Sequence, residues 1–192
     1  MKIYDQNNNL VDTKKIEKEE QDLAKQYIKK DDVVLELGAR YGSVSCIINS
    51  KLSNKNNQVS VEPDSRVWDA LEKNAKINNC KFNIIKEFIS EKKMDLINLN
   101  ECNGGYGATF IYNNNSKIQS YTLDEVEKKY NLKFNVLVAD CEGCLEVFFN
   151  ENPHLYNDLR LIIFEADYKN KCNYNKIKKS LIKYNFKDIL TG

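Results

Sequence analysis

The sequence predicts an α/β fold: a doubly wound, mostly parallel sheet in a single domain, with a helix ahead of it. Two observations carry this expectation. Short, apolar, β-branched runs at Val33–Leu37, Val59–Val61, Val136–Ala139 and Leu161–Phe164 have the composition of strands buried on both faces. Between them lie segments of helical period, and strands alternating with helices build parallel sheets whose ligands bind at the carboxyl ends of the strands. At 192 residues the chain has the length of one domain with a full core. The expected boundaries are a helical extension over residues 1–31 and the sheet domain over 32–192.

In chain order, Asp12 or Thr13 is positioned to cap a helix bearing Ile16, Leu23, Ala24, Tyr27 and Ile28 on one face. After the first strand, Ser43–Leu52 reads as a helix. A second sheet-domain helix spans about Ser65 to Asn78, with Val67, Leu71 and Ala75 on its stripe. Phe82–Ile89 reads as a third strand interrupted by Lys86-Glu87, and Met94–Tyr112 as an inserted hairpin or loop containing Gly104-Gly105-Tyr106-Gly107. Thr122-Leu123-Asp124-Glu125 is a capping box that starts a helix. Leu145, Phe148 and Phe149 share a face of the helix after Asp140; Tyr174, Ile177 and Leu181 mark the last helix, and Phe186–Leu190 a final strand.

Composition excludes several classes. Net charge is +1 with 30% charged residues, which leaves no basic excess for a nucleic-acid footprint. No apolar run approaches the length of a membrane span, and the N-terminus has no signal-peptide pattern. The six cysteines (Cys46, Cys80, Cys102, Cys141, Cys144, Cys172) fall mostly within expected strands and helices, which reads as reduced thiols in a cytoplasmic protein. The Asn and Lys bias points to an AT-rich genome, bacterial or viral; if viral, the compartment is the host cytoplasm. Oligomeric state leaves no trace in the sequence.

Two glycines interrupt the first strand's exit, in Glu36-Leu37-Gly38-Ala39-Arg40-Tyr41-Gly42, and Glu62-Pro63 follows the second strand. Glycines let a backbone approach a ligand, and an acid at that second strand end takes the two hydroxyls of a ribose. Glu36, Glu62, Asp140 and Glu165 each close an apolar strand, so all four are expected along one edge of the sheet. A dinucleotide fingerprint, GxGxxG, needs a further glycine against the pyrophosphate, and Arg40 stands where that approach would occur. A nucleoside cofactor without phosphates, such as S-adenosylmethionine, suits the loop better. Gly38, Ala39, Arg40, Tyr41 and Gly42 would then line it, Glu36 would hold its ammonium directly or through water, and Glu87-Phe88 would flank its adenine.

The stretch Asp140-Cys141-Glu142-Gly143-Cys144-Leu145-Glu146 follows a strand and opens a helix. Together with Val33–Gly42, Val61-Glu62-Pro63, Tyr121-Thr122-Leu123-Asp124 and Ile162–Glu165, it resembles the FkbM-type S-adenosylmethionine-dependent methyltransferases. Asp140, Glu142, Gly143 and Glu146 match that family's DxEGxE motif position for position. The resemblance implies a Rossmann-like class I methyltransferase fold and transfer of a methyl group to a hydroxyl of a small molecule or glycan, a sugar hydroxyl being favoured. It runs from about Val33 to Glu165. Glu36 replaces the family's commoner Asp, and Arg40 replaces what is often a small polar residue.

A sugar hydroxyl is a poor nucleophile while protonated, so a base or a metal near the methyl group helps. Asp140 is the first choice for the base, with Glu142 and Glu165 in reserve. Asp140, Glu165 and Asp167 would also offer hard oxygen ligands to Mg²⁺. Cys141 and Cys144 form a C-x-x-C, which invites a redox or zinc reading, but a zinc site needs two more ligands, and the single histidine, His154, comes with no second C-x-x-C. We expect packing at a helix start. His154 falls at the far end of the helix that begins near the ligand edge, which argues against a general base. The Gly104–Gly107 loop would form a hairpin turn, a phosphate cradle or a flap over the acceptor, with Tyr106 as a stacking surface for a sugar. The alternatives are a non-catalytic nucleoside-binding domain of a glycan-modifying assembly and, less favoured, an NAD-dependent oxidoreductase.

Overall fold

The computed structural model describes residues 1–97 and 107–189. Its centre is a five-stranded, all-parallel sheet of order β3-β2-β1-β8-β9. The strands are β1 (Val34–Leu37), β2 (Gln58–Val61), β3 (Asn83–Ile85), β8 (Val136–Ala139) and β9 (Leu161–Phe164). Every residue of β1, β2 and β8 is buried, as strands covered on both faces must be. Register places Leu37 beside Val61 on one flank and Ala139 on the other, with Ala139 beside Phe164. The exits of β1, β2, β8 and β9 therefore form one continuous edge, and order reverses at β1, the switch point where such sheets open a crevice.

Helices α2 (Ser43–Lys51), α3 (Trp68–Ile77), α4 (Leu123–Tyr130), α5 (Leu145–Glu151), α6 (Leu155–Asp158) and α7 (Tyr174–Lys183) flank the sheet, with α1 (Lys18–Tyr27) ahead of it. One core face gathers Leu35, Leu137, Phe148, Phe149 and Ile177. The other packs Ala24, Ile28, Ile48 and Val136. The Thr122 capping box forms as expected, each partner satisfying the other's exposed amide.

Four expectations are corrected. The first helix starts at Lys18, not at Asp12 or Thr13, because the Asp12 carboxylate accepts the Lys14 amide in a local turn (3.1 Å) and Glu17 adopts a left-handed backbone (φ 44°). The third strand divides at Lys86-Glu87: β3 joins the main sheet, while β4 (Phe88–Ile89) pairs with β7 (Ser120–Tyr121). Residues 186–189 form no strand; the Phe186 amide instead closes the end of α7 on the Leu181 carbonyl (3.0 Å). The cysteines are not all reduced, for Cys141 and Cys144 form a disulfide, while Cys46, Cys80 and Cys172 are free. This removes the cysteine argument for a reducing compartment.

The insertion between β4 and α4 contains an antiparallel hairpin, β5 (Met94–Ile97) with β6 (Thr109–Tyr112). Cys102, Gly104, Gly105 and Tyr106 lie outside the described residues, so the turn, cradle and flap expectations do too; Gly107 is described, and its carbonyl accepts the Tyr168 hydroxyl (2.8 Å). The first seventeen residues run along the glycine loop: Ile3 is fully buried among Ala39, Tyr41, Leu71 and Phe82. Among the described residues, no helix is long and apolar enough to cross a membrane.

Candidate functional site

A cleft opens at the carboxyl edge, enclosing about 900 Å³ of space that is partly open to solvent. Its polar wall carries Gly38, Arg40, Glu62, Asp64, Asp140 and Glu142; its apolar wall includes Phe88, Met94, Leu96, Phe110 and Phe148. The hairpin expected within Met94–Tyr112 thus forms and closes one side of the crevice.

The glycine loop is built by close approach. Gly38 has φ 88°, and a Cβ there would lie 1.8 Å from the Asp140 carbonyl oxygen, so no other residue fits. Its amide and that of Ala39 both donate to the Val61 carbonyl (3.0 Å each), and the Arg40 amide donates to Glu62 Oε2 (2.7 Å). The Gly42 amide returns to the Ala39 carbonyl (2.7 Å). These four amides point into the protein, not outward as a phosphate cradle requires.

Glu62 is buried and pins the loop. Its second oxygen accepts the Asp64 amide (2.8 Å), and Trp68 Nε1 donates to its carbonyl (2.7 Å). Burial pushes its carboxyl up to about 7, against the pull of those two amides. Each carboxylate oxygen still has a lone pair for a ligand hydroxyl. Asp64, two residues on, also lines the cleft and accepts the Arg66 guanidinium through both oxygens (Nη2 to Oδ2 2.6 Å, Nε to Oδ1 2.9 Å). The expectation from sequence ends at Pro63; an acid two residues after Glu62 is the signal for Asp64.

Glu36 does not line the cleft. It lies within β1, one residue before the strand's end, and is 2% exposed. Its carboxylate accepts the Ser60 hydroxyl (2.6 Å) and sits at 3.5 Å from Gln58 Nε2. Burial holds its carboxyl up at about 7. It is an internal brace between β1 and β2, which corrects the expectation that it meets a ligand's ammonium directly. Ala39, Tyr41, Gly42 and Glu87 also stand off the cleft surface, while Gly38, Arg40, Pro63 and Phe88 are on it.

At β8 the chain turns sharply through Asp140–Cys144. Glu142 has φ 52° and Gly143 φ 92°, with a Gly143 Cβ position only 3.0 Å from the Lys171 side chain. Asp140 Oδ1 and Glu142 Oε2 are buried without a hydrogen-bond partner. Burial, then repulsion from Glu165, Glu17 and Glu142, pushes the Asp140 carboxyl up to about 9. Glu142 is raised to about 8 by burial and by Asp167. Carboxylate oxygens of Asp140, Glu165 and Asp167 lie within 4.8 Å of one another. Glu165 and Asp167 are exposed, beside the cleft rather than on its wall. Glu146, the last acid of the motif, faces elsewhere: it ties α5 to α7 by accepting the Asn173 amide (2.8 Å) and the Lys176 ammonium (2.9 Å). His154 is exposed at the start of α6, away from the strand exits.

Glu17 does not line the cleft, but its charge acts on Asp140, an influence the sequence does not signal. It accepts the Ser43 hydroxyl at the start of α2, and burial with the nearby charges of Glu36 and Glu20 raises its carboxyl to about 8. In a Lys/Glu-rich stretch it looks like any solvated residue. Four acids (Glu62, Asp64, Asp140, Glu142) thus line the cleft, with Arg40 the one cationic side chain among its described lining residues.

Similar architecture occurs in solved structures. One is precorrin-6y C5,15-methyltransferase from Geobacter metallireducens GS-15, at TM-score 0.55 and 13% identity over 90% of this chain and 73% of that one. Another is precorrin 8W decarboxylase from Methanobacterium thermoautotrophicum, at TM-score 0.51 and 12% identity over 88% and 73%. At such identities the likeness establishes the fold: the doubly wound parallel sheet predicted from sequence. Neither a protein-family model nor a curated protein matches the chain.

Proposed function

We propose that the chain is an S-adenosylmethionine-dependent O-methyltransferase, akin to the FkbM type, acting on a hydroxyl of a small molecule or glycan, with a sugar hydroxyl the first choice. One observation carries the reading: a glycine loop whose amides are turned inward, beside a cleft with four acids and one arginine on its wall. A dinucleotide would bring two phosphates to a surface of four acids, where the described loop amides are turned inward and one arginine lines the wall. A sulfonium nucleoside brings positive charge, which the acids favour. The two fold neighbours add weight, since one of them is itself described as a methyltransferase.

The donor sets fit the group. Glu62 would accept the ribose hydroxyls, Phe88 and Pro63 would flank the base, and the Asp140–Glu142 end would face the reacting centre. When bound, the cofactor supplies an electrophilic methyl group. The chain's own work is then to align the acceptor oxygen and remove its proton, and placement alone can supply about 7–11 kcal/mol of a barrier. With its carboxyl pushed up to about 9 by burial and neighbouring acids, Asp140 holds a proton at neutral pH. A positive charge alongside lowers that value, so Asp140 becomes a competent base when the cleft is loaded. A divalent cation such as Mg²⁺ is the other route: Asp140, Glu165 and Asp167 offer oxygen donors of the right hardness, and the orphaned Asp140 Oδ1 fits such a partner. Activity lost to EDTA and restored by Mg²⁺ selects the metal; indifference selects the base.

A melting screen with S-adenosylmethionine, S-adenosylhomocysteine, NAD and ATP tests the assignment, because a ligand that binds only the folded state must raise the melting temperature. The sulfur nucleosides are expected to do so. A shift with NAD alone would overturn the reading in favour of a dehydrogenase.

A further inference from the structure

The Cys141–Cys144 disulfide stands inside the candidate site, and the proposed reaction makes no use of it. Both cysteines line the cleft. Between them the chain runs through Glu142 and Gly143, each with positive φ (52° and 92°). The left-handed region suits Gly143, whereas for Glu142 it is unfavourable and persists only where the surroundings impose it. Two constraints do so here. The disulfide closes a ring across these two residues, and the Thr109 hydroxyl of the hairpin donates to the Glu142 carbonyl (2.8 Å). The Cys144 amide also reaches the Cys141 carbonyl (3.1 Å) within the same turn. Glu142 is thereby held with one carboxylate oxygen buried and unpartnered, next to Asp140.

We propose that the Cys141–Cys144 bond is a redox-controlled positioning element: oxidised, it fixes Glu142 and the adjoining Asp140 in the cleft; reduced, it releases them. The chemistry balances with an external dithiol as reductant. A thiolate of the dithiol attacks one sulfur, the Cys141–Cys144 bond breaks, and a mixed disulfide forms as the departing cysteine thiolate takes up a proton. The second thiol of the dithiol then displaces the other cysteine and leaves as the oxidised disulfide. The protein gains two electrons and two protons. Both sulfurs belong to half-buried residues on a solvent-connected cleft, so the reductant has a route to them. The functional consequence, control of ligand binding, rests on the nucleoside reading above; the release of the loop does not.

Two readouts on the whole chain separate these levels. Hydrogen exchange over residues 141–145, oxidised and then reduced with dithiothreitol, is expected to speed up by ten-fold or more on reduction and to recover on reoxidation. Calorimetry with S-adenosylmethionine, whose sulfonium the two acids favour, is expected to show about ten-fold weaker binding to the reduced protein, while the Cys141→Ser/Cys144→Ser variant binds like the reduced form with or without dithiothreitol. Unchanged exchange on reduction overturns the proposal. So does equal affinity of the two redox forms, or a double variant that still responds to the reductant. If that variant does not fold, the wild-type comparison decides alone. If neither redox form binds the nucleoside, the proposed function fails, and exchange still decides whether the bond holds the loop.

Discussion

The two strand-to-helix turns that meet at the cleft are built alike and finished differently. Each departs from a buried parallel strand, each contains glycines of positive φ, and each places a non-glycine residue there too: Arg40 (φ 42°) in the first, Glu142 (φ 52°) in the second. In the first turn the loop amides described above and both oxygens of the Glu62 carboxylate have internal partners. The loop amides reach Val61, Glu62 and Ala39, and Glu62 accepts two amides at once. In the second, Asp140 and Glu142 each keep a buried oxygen without a partner, and their carboxyls are pushed up to about 9 and about 8. Satisfied groups make a rigid surface that binds; unsatisfied charge makes a surface that waits for a cation or a proton. Under the proposed function, the difference gives recognition to the first turn and chemistry to the second.

The largest effect is expected where the turns touch. Gly38→Ala would put a methyl group into the Asp140 carbonyl, 1.8 Å away, at a backbone angle that favours glycine. Thermal melts are expected to show a loss of about 10 °C or more, and a melting temperature within a degree or two of wild type would mean the loops do not approach as described. Next comes the second turn. Asp140→Asn keeps the shape but cannot take a proton, so turnover of a hydroxyl acceptor is expected to fall by about 10²–10⁴ while S-adenosylhomocysteine still binds. Full activity would move the chemistry to Glu142 or Glu165.

The first turn should show the reverse pattern. Glu62→Ala removes the acceptor of two loop amides and of the ribose hydroxyls; calorimetry is expected to show at least about ten-fold weaker nucleoside binding with the protein still folded, as fits charge-assisted hydrogen bonds. An unchanged dissociation constant would refute ribose recognition there. The smallest effect is expected at Glu17, which stands between the turns. Glu17→Gln keeps a partner for the Ser43 hydroxyl and removes one negative charge, so affinity for S-adenosylmethionine should fall by roughly two- to five-fold, with little change for 5′-methylthioadenosine, which lacks the sulfonium charge and the amino-acid tail. Equal losses for both ligands would make Glu17 a structural cap alone.

Much of this contrast was legible in the sequence, and the remainder has physical reasons for being hidden. Strands buried on both faces must be apolar throughout, so Val34–Leu37, Val136–Ala139 and Leu161–Phe164 announce themselves, and the acids at their exits stand out against them. The Lys86-Glu87 interruption marked a real division between two strands. Glu36 misled because a carboxylate near a strand exit reads as a ligand group, whereas pleat alternation turned it toward Ser60 and Gln58. Asp12 misled because the same side chain that caps a helix also closes a local turn. The hairpin's place on the cleft wall, the influence of Glu17 and the Cys141–Cys144 bond depend on tertiary proximity, which a one-dimensional pattern does not encode.

The central claim, that this cleft is built for a cationic nucleoside, has a direct test in proton linkage. Carboxyls raised to about 7 at Glu62, about 8 at Glu17 and Glu142 and about 9 at Asp140 retain protons near neutrality. A sulfonium lowers those values, so loading must expel protons, and affinity must rise with pH up to about 9. Calorimetric titrations at pH 7.5 in two buffers of different ionisation enthalpy count those protons. Release of about half a proton or more with S-adenosylmethionine, and clearly less with the uncharged thioether S-adenosylhomocysteine, is the predicted result. Equal proton counts for the two, or tight binding of NAD with no heat from either sulfur nucleoside, would contradict it.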